Sequence, residues 1–139
     1  MDMLHNLPQT VTTPVTLLVS ASTGEAEIDA ELRYDPSDPL AVSLAIGVSC
    51  SDPVVWIFAR DLLQAGVHGP AGQGDITIEP TEHLDRRALR ITLATDCLAT
   101  MLVGSDRVIE FLVETYALVP SGCELDRVDL DAEIAALLG

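Results

Sequence analysis

No lysine occurs among the 139 residues, and the seven basic side chains are all arginine, against 22 aspartates and glutamates. The formal net charge is −15. Nucleic-acid backbones and anionic bilayers are bound by basic stripes, and among the arginines only Arg86, Arg87 and Arg90 cluster. So acidic a chain stays in solution by self-repulsion, and the imbalance argues against nucleic acid and against direct contact with lipid. The cysteines, Cys50, Cys97 and Cys123, are few and far apart, with no CxxC. Neither a zinc knuckle nor a redox pair is indicated; each reads as a small buried hydrophobe. No run reaches 18 apolar residues, so no membrane-spanning helix is expected. Residues 1–10 carry neither a basic nor an apolar leader region. A reduced, cytoplasmic location is the expectation.

The chemistry-bearing motifs are equally sparse. There is no GxSxG, HxxxH or HExxH, which removes the usual signals for a nucleophile elbow or a catalytic zinc. His5 falls in an N-terminal lead-in, and His68 and His83 in loops. The one glycine-rich stretch, Gly66 to Asp75, follows a helix and precedes a strand; a phosphate cradle needs the opposite order and usually a lysine. It reads as a loop with positive φ at several glycines. Trp56 and Phe58 alternate as a base-stacking platform would, but no basic residues interleave, which favours core packing. Enzymatic function is not expected, and no cofactor or metal.

Hydrophobic residues make up 48% of the chain, which excludes disorder. At this length a domain buries roughly two-thirds of its unfolded surface. The apolar content exceeds what one small domain hides comfortably, and so points to an oligomer or a sticky partner surface. Residues 1–9 read as a flexible lead-in and 10–139 as one domain.

Val11 to Ser20 is β-branched and reads as a strand, with Pro14 demanding an edge or a bulge. In Glu25 to Tyr34 apolar and charged residues alternate, the period of a strand with one wet face. Asp35-Pro36-Ser37-Asp38-Pro39 has turn chemistry. Leu40 to Cys50 reads as a long central strand and Val54 to Phe58 as a strand buried on both faces. Ala59 to Ala65 reads as a short helix stopped by Gly66 as its C-cap. Asp75 to Pro80 and Arg87 to Thr95 read as strands; Leu98 to Val103 is compatible with strand or buried helix. Ser105 or Asp106 caps a helix to about Leu118, with Val108, Phe111, Leu112, Thr115 and Tyr116 on one face. A last helix starts at Asp126 or Asp129 and carries Leu130, Ile134, Leu137 and Leu138 on one stripe. This order predicts an α+β fold with mostly antiparallel sheet, one short helix and two longer ones.

Three stretches occur together: LRYDPSDPLAV at 32–42, WIFARDLL at 56–63 followed by the glycine loop at 66–75, and VDLDAEI at 128–134. In this order and spacing they resemble the SsgA-like proteins of spore-forming actinobacteria, nearest the SsgB type, over about residues 11–139. The matching positions are Tyr34, Asp35, Pro39, Trp56, Phe58, Arg60, Asp61, Gly74 and Asp129. The resemblance implies a non-enzymatic protein of sporulation-specific septation, acting at the septum. It implies recruitment of the tubulin-like protein FtsZ and promotion of its assembly, with other SsgA-like or membrane-linked division proteins as further partners. It implies strongly curved sheets of about seven or eight strands, similar to Whirly and guide-RNA-binding proteins, in a homotrimer. Those fold relatives bind single-stranded nucleic acid through basic sheet faces; acidic residues along 25–31 oppose this here. FtsZ is itself acidic, so docking must use apolar surface with a few arginines, for which Arg86, Arg87 and Arg90 are the candidates.

Overall fold

Residues 9–22, 24–48, 52–94, 98–127 and 137 are described by the structure, a computed structural model. Eight strands form one antiparallel sheet: β1 (Val11–Ala21), β2 (Gly24–Tyr34), β3 (Ala41–Ile46), β4 (Val54–Ala59), β5 (Ala71–Gln73), β6 (Ile76–His83), β7 (Arg86–Ala94) and β8 (Leu98–Gly104). Helix α1 (Arg60–His68) joins β4 to β5, and α2 (Ser105–Leu118) follows β8. The strand order is β4-β3-β2-β1-β8-β7-β6-β5. The α+β, mostly antiparallel expectation holds. Residues 1–8, Cys50, Cys97, Asp129 and the body of the last predicted helix lie outside the described residues; Asp126, the other predicted start of that helix, lies in a 3-10 turn at Glu124–Arg127.

The sheet curls because β1 is shared unevenly. It pairs with β2 along all eleven residues but with β8 only at Leu18–Ser20. Pro14 sits in the half of β1 with no second neighbour, where its missing N–H interrupts no ladder. A proline is thus accommodated inside an otherwise central strand. The curl also lets the single helix α1 pack against β4 and β5, the two edges, as well as β6. Helix α2 lies against β1, β7 and β8 and buries Val108, Phe111 and Leu112. Leu17, Leu44, Leu63, Ile78, Leu89 and Phe111 meet in the core, each contributing roughly 1.5–3 kcal/mol by burial.

Several expectations are corrected. Only Ala30, Leu32 and Tyr34 of β2 are fully buried; Ala26 is exposed and Ile28 half-buried, because the β1–β2 hairpin projects past the core. Strand β3 ends at Ile46, not Cys50. Gly47 adopts φ +77°, and its N–H and that of Val48 both bond the Asp29 carbonyl oxygen, so the chain bends while staying tied to β2. Helix α1 runs through Gly66 to His68. Gly66 is a contact glycine, not a cap: a Cβ there would lie 2.6 Å from Ile78 Cβ and closer still to its Cγ2. In the glycine-rich stretch only Gly74, at the β5–β6 turn, has positive φ; residues 71–73 form a strand. Residues 98–104 are strand, and Ser105 is the first residue of α2, capped by Gly104 without a side-chain bond.

The largest correction concerns β4. It is an edge strand with one neighbour, and Val54, Val55 and Ile57 are exposed, Ile57 at 70%. An apolar run flanked by turns is read as buried on both faces, yet here it is half uncovered. The Arg60 N–H donates to the Leu40 carbonyl oxygen across the end of β3 and β4 at 2.9 Å. Such pairs recur at every second residue of an antiparallel ladder. Val54, Trp56 and Phe58 therefore bond β3, and the backbone groups of Val55 and Ile57 point outward.

Candidate interaction surface

The turn at 35–39 is built as its chemistry predicts. An Asp35 carboxylate oxygen accepts from Ser37 N–H at 2.9 Å and from Ser37 Oγ at 2.8 Å, and Asp38 N–H bonds the Asp35 carbonyl oxygen. Tyr34 Oη, buried, donates to the Pro39 carbonyl oxygen at 3.0 Å. Arg60 lies over the Tyr34 ring, 5.0 Å from its centroid.

Arg60, only 1% exposed, opens α1 and closes α2. Its Nη1 donates to the carbonyl oxygen of Thr115 at 3.2 Å, which also accepts the Val119 N–H, and to that of Val119, the residue that caps α2, at 2.8 Å. Its Nη2 meets Glu124 Oε1 at 3.1 Å, and Tyr116 stacks on the guanidinium at 4.0 Å. Glu124 is held below the usual carboxylate range, first by its own backbone N–H and, against the effect of desolvation, by Arg60. Burial raises the Tyr116 phenol, partly opposed by Arg60. Four signature positions are thereby explained as architecture: Tyr34, Asp35, Pro39 and Arg60. Phe58 is buried and Trp56 packs on the core, while Asp61 lies in the first turn of α1. None of these is poised for chemistry. Among the described residues no three of His, Cys, Asp and Glu are close enough to share a metal ion.

The arginine cluster is divided. Arg90 Nη1 pairs with Glu79 at 2.9 Å and its Nη2 contacts Thr81 at 3.3 Å. Arg86 and Arg87 are exposed and make no ion pair among the described residues, unlike Arg33, Arg60, Arg90 and Arg107. Arg107, from the first turn of α2, joins Arg86 and Arg87 around a shallow depression of about 540 Å³. Nothing in the sequence flags Arg107, since only the packing of α2 beside β7 brings it there.

The apolar surface is also divided. One patch is the β4 edge. A second is the outer side of α2, with Ile109 and Val113, and a third is Leu84 at the tip of the β6–β7 hairpin; Leu40, Leu125 and Leu137 are exposed as well among the described residues. No helix among the described residues is long and apolar enough to cross a membrane.

Comparison with known proteins places this geometry. The model of a family described as Streptomyces sporulation and cell division protein, SsgA, matches residues 28–124. The sporulation-specific cell division protein SsgB of Frankia casuarinae is 38% identical over 112 residues, 80% of this chain and 78% of that protein. A crystal structure of an SsgA-like sporulation-specific cell division protein from Thermobifida fusca superposes with a TM-score of 0.83 at 36% identity, covering 93% of this chain and 96% of that one. A second solved structure, from work correlating mutations in SsgB with longitudinal cell division during sporulation of Streptomyces coelicolor, gives a TM-score of 0.77 at 32% identity, covering 85% and 93%.

Proposed function

Because this chain belongs to the SsgA family of sporulation and cell division proteins, we propose that it is a non-catalytic platform that recruits FtsZ to septum sites and promotes its assembly. The observation that carries this reading is the uncovered β4 edge. A lone edge strand normally bears a charge, a proline or a bulge that blunts pairing. Val54 to Ala59 has none, and Val55 and Ile57 offer both side chains and backbone groups outward. On a chain of net charge −15 this uncharged strip is where like-charge repulsion opposes association least. We assign it to a second copy of the chain, forming the homo-oligomer, a trimer in this reading, that presents several partner sites at once.

The platform acts in the cytoplasm at the septum. Its acidic surface requires a membrane-linked division protein, or another SsgA-like protein, to hold the assembly at the bilayer. The Whirly-like reading of the curled sheet belongs to the same proposal, without its nucleic-acid activity. Glu25, Glu27, Asp29 and Glu31 line β2 with little burial, and carboxylates there repel phosphate. Light scattering of the purified chain, followed by co-sedimentation with FtsZ filaments, tests the reading. Oligomers that pellet with filaments support it; a monomer that stays in the supernatant contradicts it.

A further inference from the structure

The β6–β7 hairpin closes on Leu84 and Asp85, with His83 paired to Arg86. Both turn residues are left-handed, at φ +51° and +62°. Asparagine, aspartate and glycine tolerate that region; leucine does so only under strain. Leu84 is also 84% exposed, so neither backbone preference nor burial in this chain accounts for an apolar side chain there. Strain held at such a tip points outward, to something the tip engages. The next two residues are Arg86 and Arg87, exposed and without ion pairs among the described residues, although acids outnumber bases threefold in the chain.

These residues edge a groove of about 530 Å³ between the hairpin and the open face of the sheet. Its floor is Leu18 and Leu102, cross-strand neighbours on β1 and β8 and both half-buried. Leu84, Arg86 and Arg87 form one wall and Glu27 stands on the other side. Aliphatic floor, cationic wall and one opposing carboxylate define a complementary ligand. We propose that this groove binds a short acidic-aliphatic segment of the recruited partner protein, its aliphatic side chains on Leu18, Leu84 and Leu102 and its carboxylate on Arg86 and Arg87. Glu27 fixes the orientation, since a carboxylate placed on its side is repelled. The inference rests on the recruitment reading above, and adds the chemistry that is recognised. The two arginines draw in one local carboxylate while the body of the protein repels an acidic partner, so attachment is confined to this site.

The test uses the full chain and a fluorescein-labelled twelve-residue peptide of leucine and glutamate, with a leucine–lysine peptide as its counterpart, read by fluorescence anisotropy. The acidic peptide binds and the basic one does not. Arg86→Ser with Arg87→Ser weakens the acidic peptide roughly tenfold or more, the scale of a lost charge-assisted contact. Leu84→Asn weakens it as well while leaving the melting temperature equal or higher, because asparagine accepts the left-handed turn. Equal binding by the arginine double variant, or preference for the basic peptide, overturns the groove. A changed oligomeric state in that variant with unchanged peptide binding assigns the groove to a second copy, and overturns it also. Parallel co-sedimentation with FtsZ separates the two levels. If the unaltered chain pellets with filaments but the peptide results fail, recruitment stands without this groove; if it does not pellet, recruitment itself fails.

Discussion

Arg60 donates to the Val119 carbonyl oxygen at 2.8 Å although 59 residues separate them. One guanidinium thereby begins the first helix and terminates the second, held between the rings of Tyr34 and Tyr116. Its replacement by methionine removes three polar partners and strands the end of α2. The expected loss is about 3 kcal/mol, the scale for breaking a buried charged contact. Arg60→Lys recovers only part, since a single ammonium cannot span both carbonyls and Glu124. Urea denaturation of the two variants measures the order.

The bond to Glu124 makes stability depend on acid. The Glu124 pKa is lowered in the folded chain, so its contribution is fully present above the unfolded carboxylate value, near 4.3. It is lost as pH falls through the lower folded value. Melting temperature therefore drops below about pH 4.3 in the native chain. In Glu124→Gln that part of the decline is missing and stability at neutral pH is lower. Thermal melts from acid to neutral pH in both chains show whether the slopes differ.

Gly66→Ala brings a methyl group against Ile78. Alanine favours helix by about 1 kcal/mol over glycine, but overpacking costs typically 1–3 kcal/mol. The net expectation is destabilisation, reversed when Ile78→Ala makes room. A double-mutant cycle in denaturant reads the coupling; additive effects contradict the contact.

Ile57→Lys adds a charge to the open edge of β4. The side chain is 70% exposed, so stability changes by no more than about 0.5 kcal/mol. Association is expected to fall, since an edge lysine blocks strand pairing. Light scattering at matched concentrations resolves the smaller species; an unchanged mass returns the edge to some other occupant.

Local chemistry was legible where it depended on neighbours in the chain. The alternation along Glu25 to Tyr34 marked β2, and Asp35 and Pro39 marked the turn that Tyr34 later closes. The helix over 105–118 followed from its period. What the sequence concealed was set by distant packing. Val54 to Phe58 reads the same whether a strand is covered or bare, so its exposure depends on strand order. Gly66 reads as a stop until Ile78 is known to lie beneath it. Nothing near Arg60 in the chain marks it for burial, because Thr115, Val119 and Glu124 lie 55 to 64 residues away. Of the three candidate arginines, Arg90 is consumed by Glu79 across β6 and β7. Arg107, paired with Glu110, comes beside Arg86 and Arg87 through the position of α2, which no local pattern encodes.

Recruitment by apolar surface with few arginines makes one measurement decisive: co-sedimentation of the full chain with FtsZ filaments across a salt series from about 50 to 200 mM, a range that spans physiological ionic strength and about halves the Debye length. The account predicts that the chain pellets with filaments throughout, with a yield that stays level or rises as mutual repulsion is screened. Failure to pellet, or binding that collapses over the same range as a multi-contact electrostatic complex does, contradicts it.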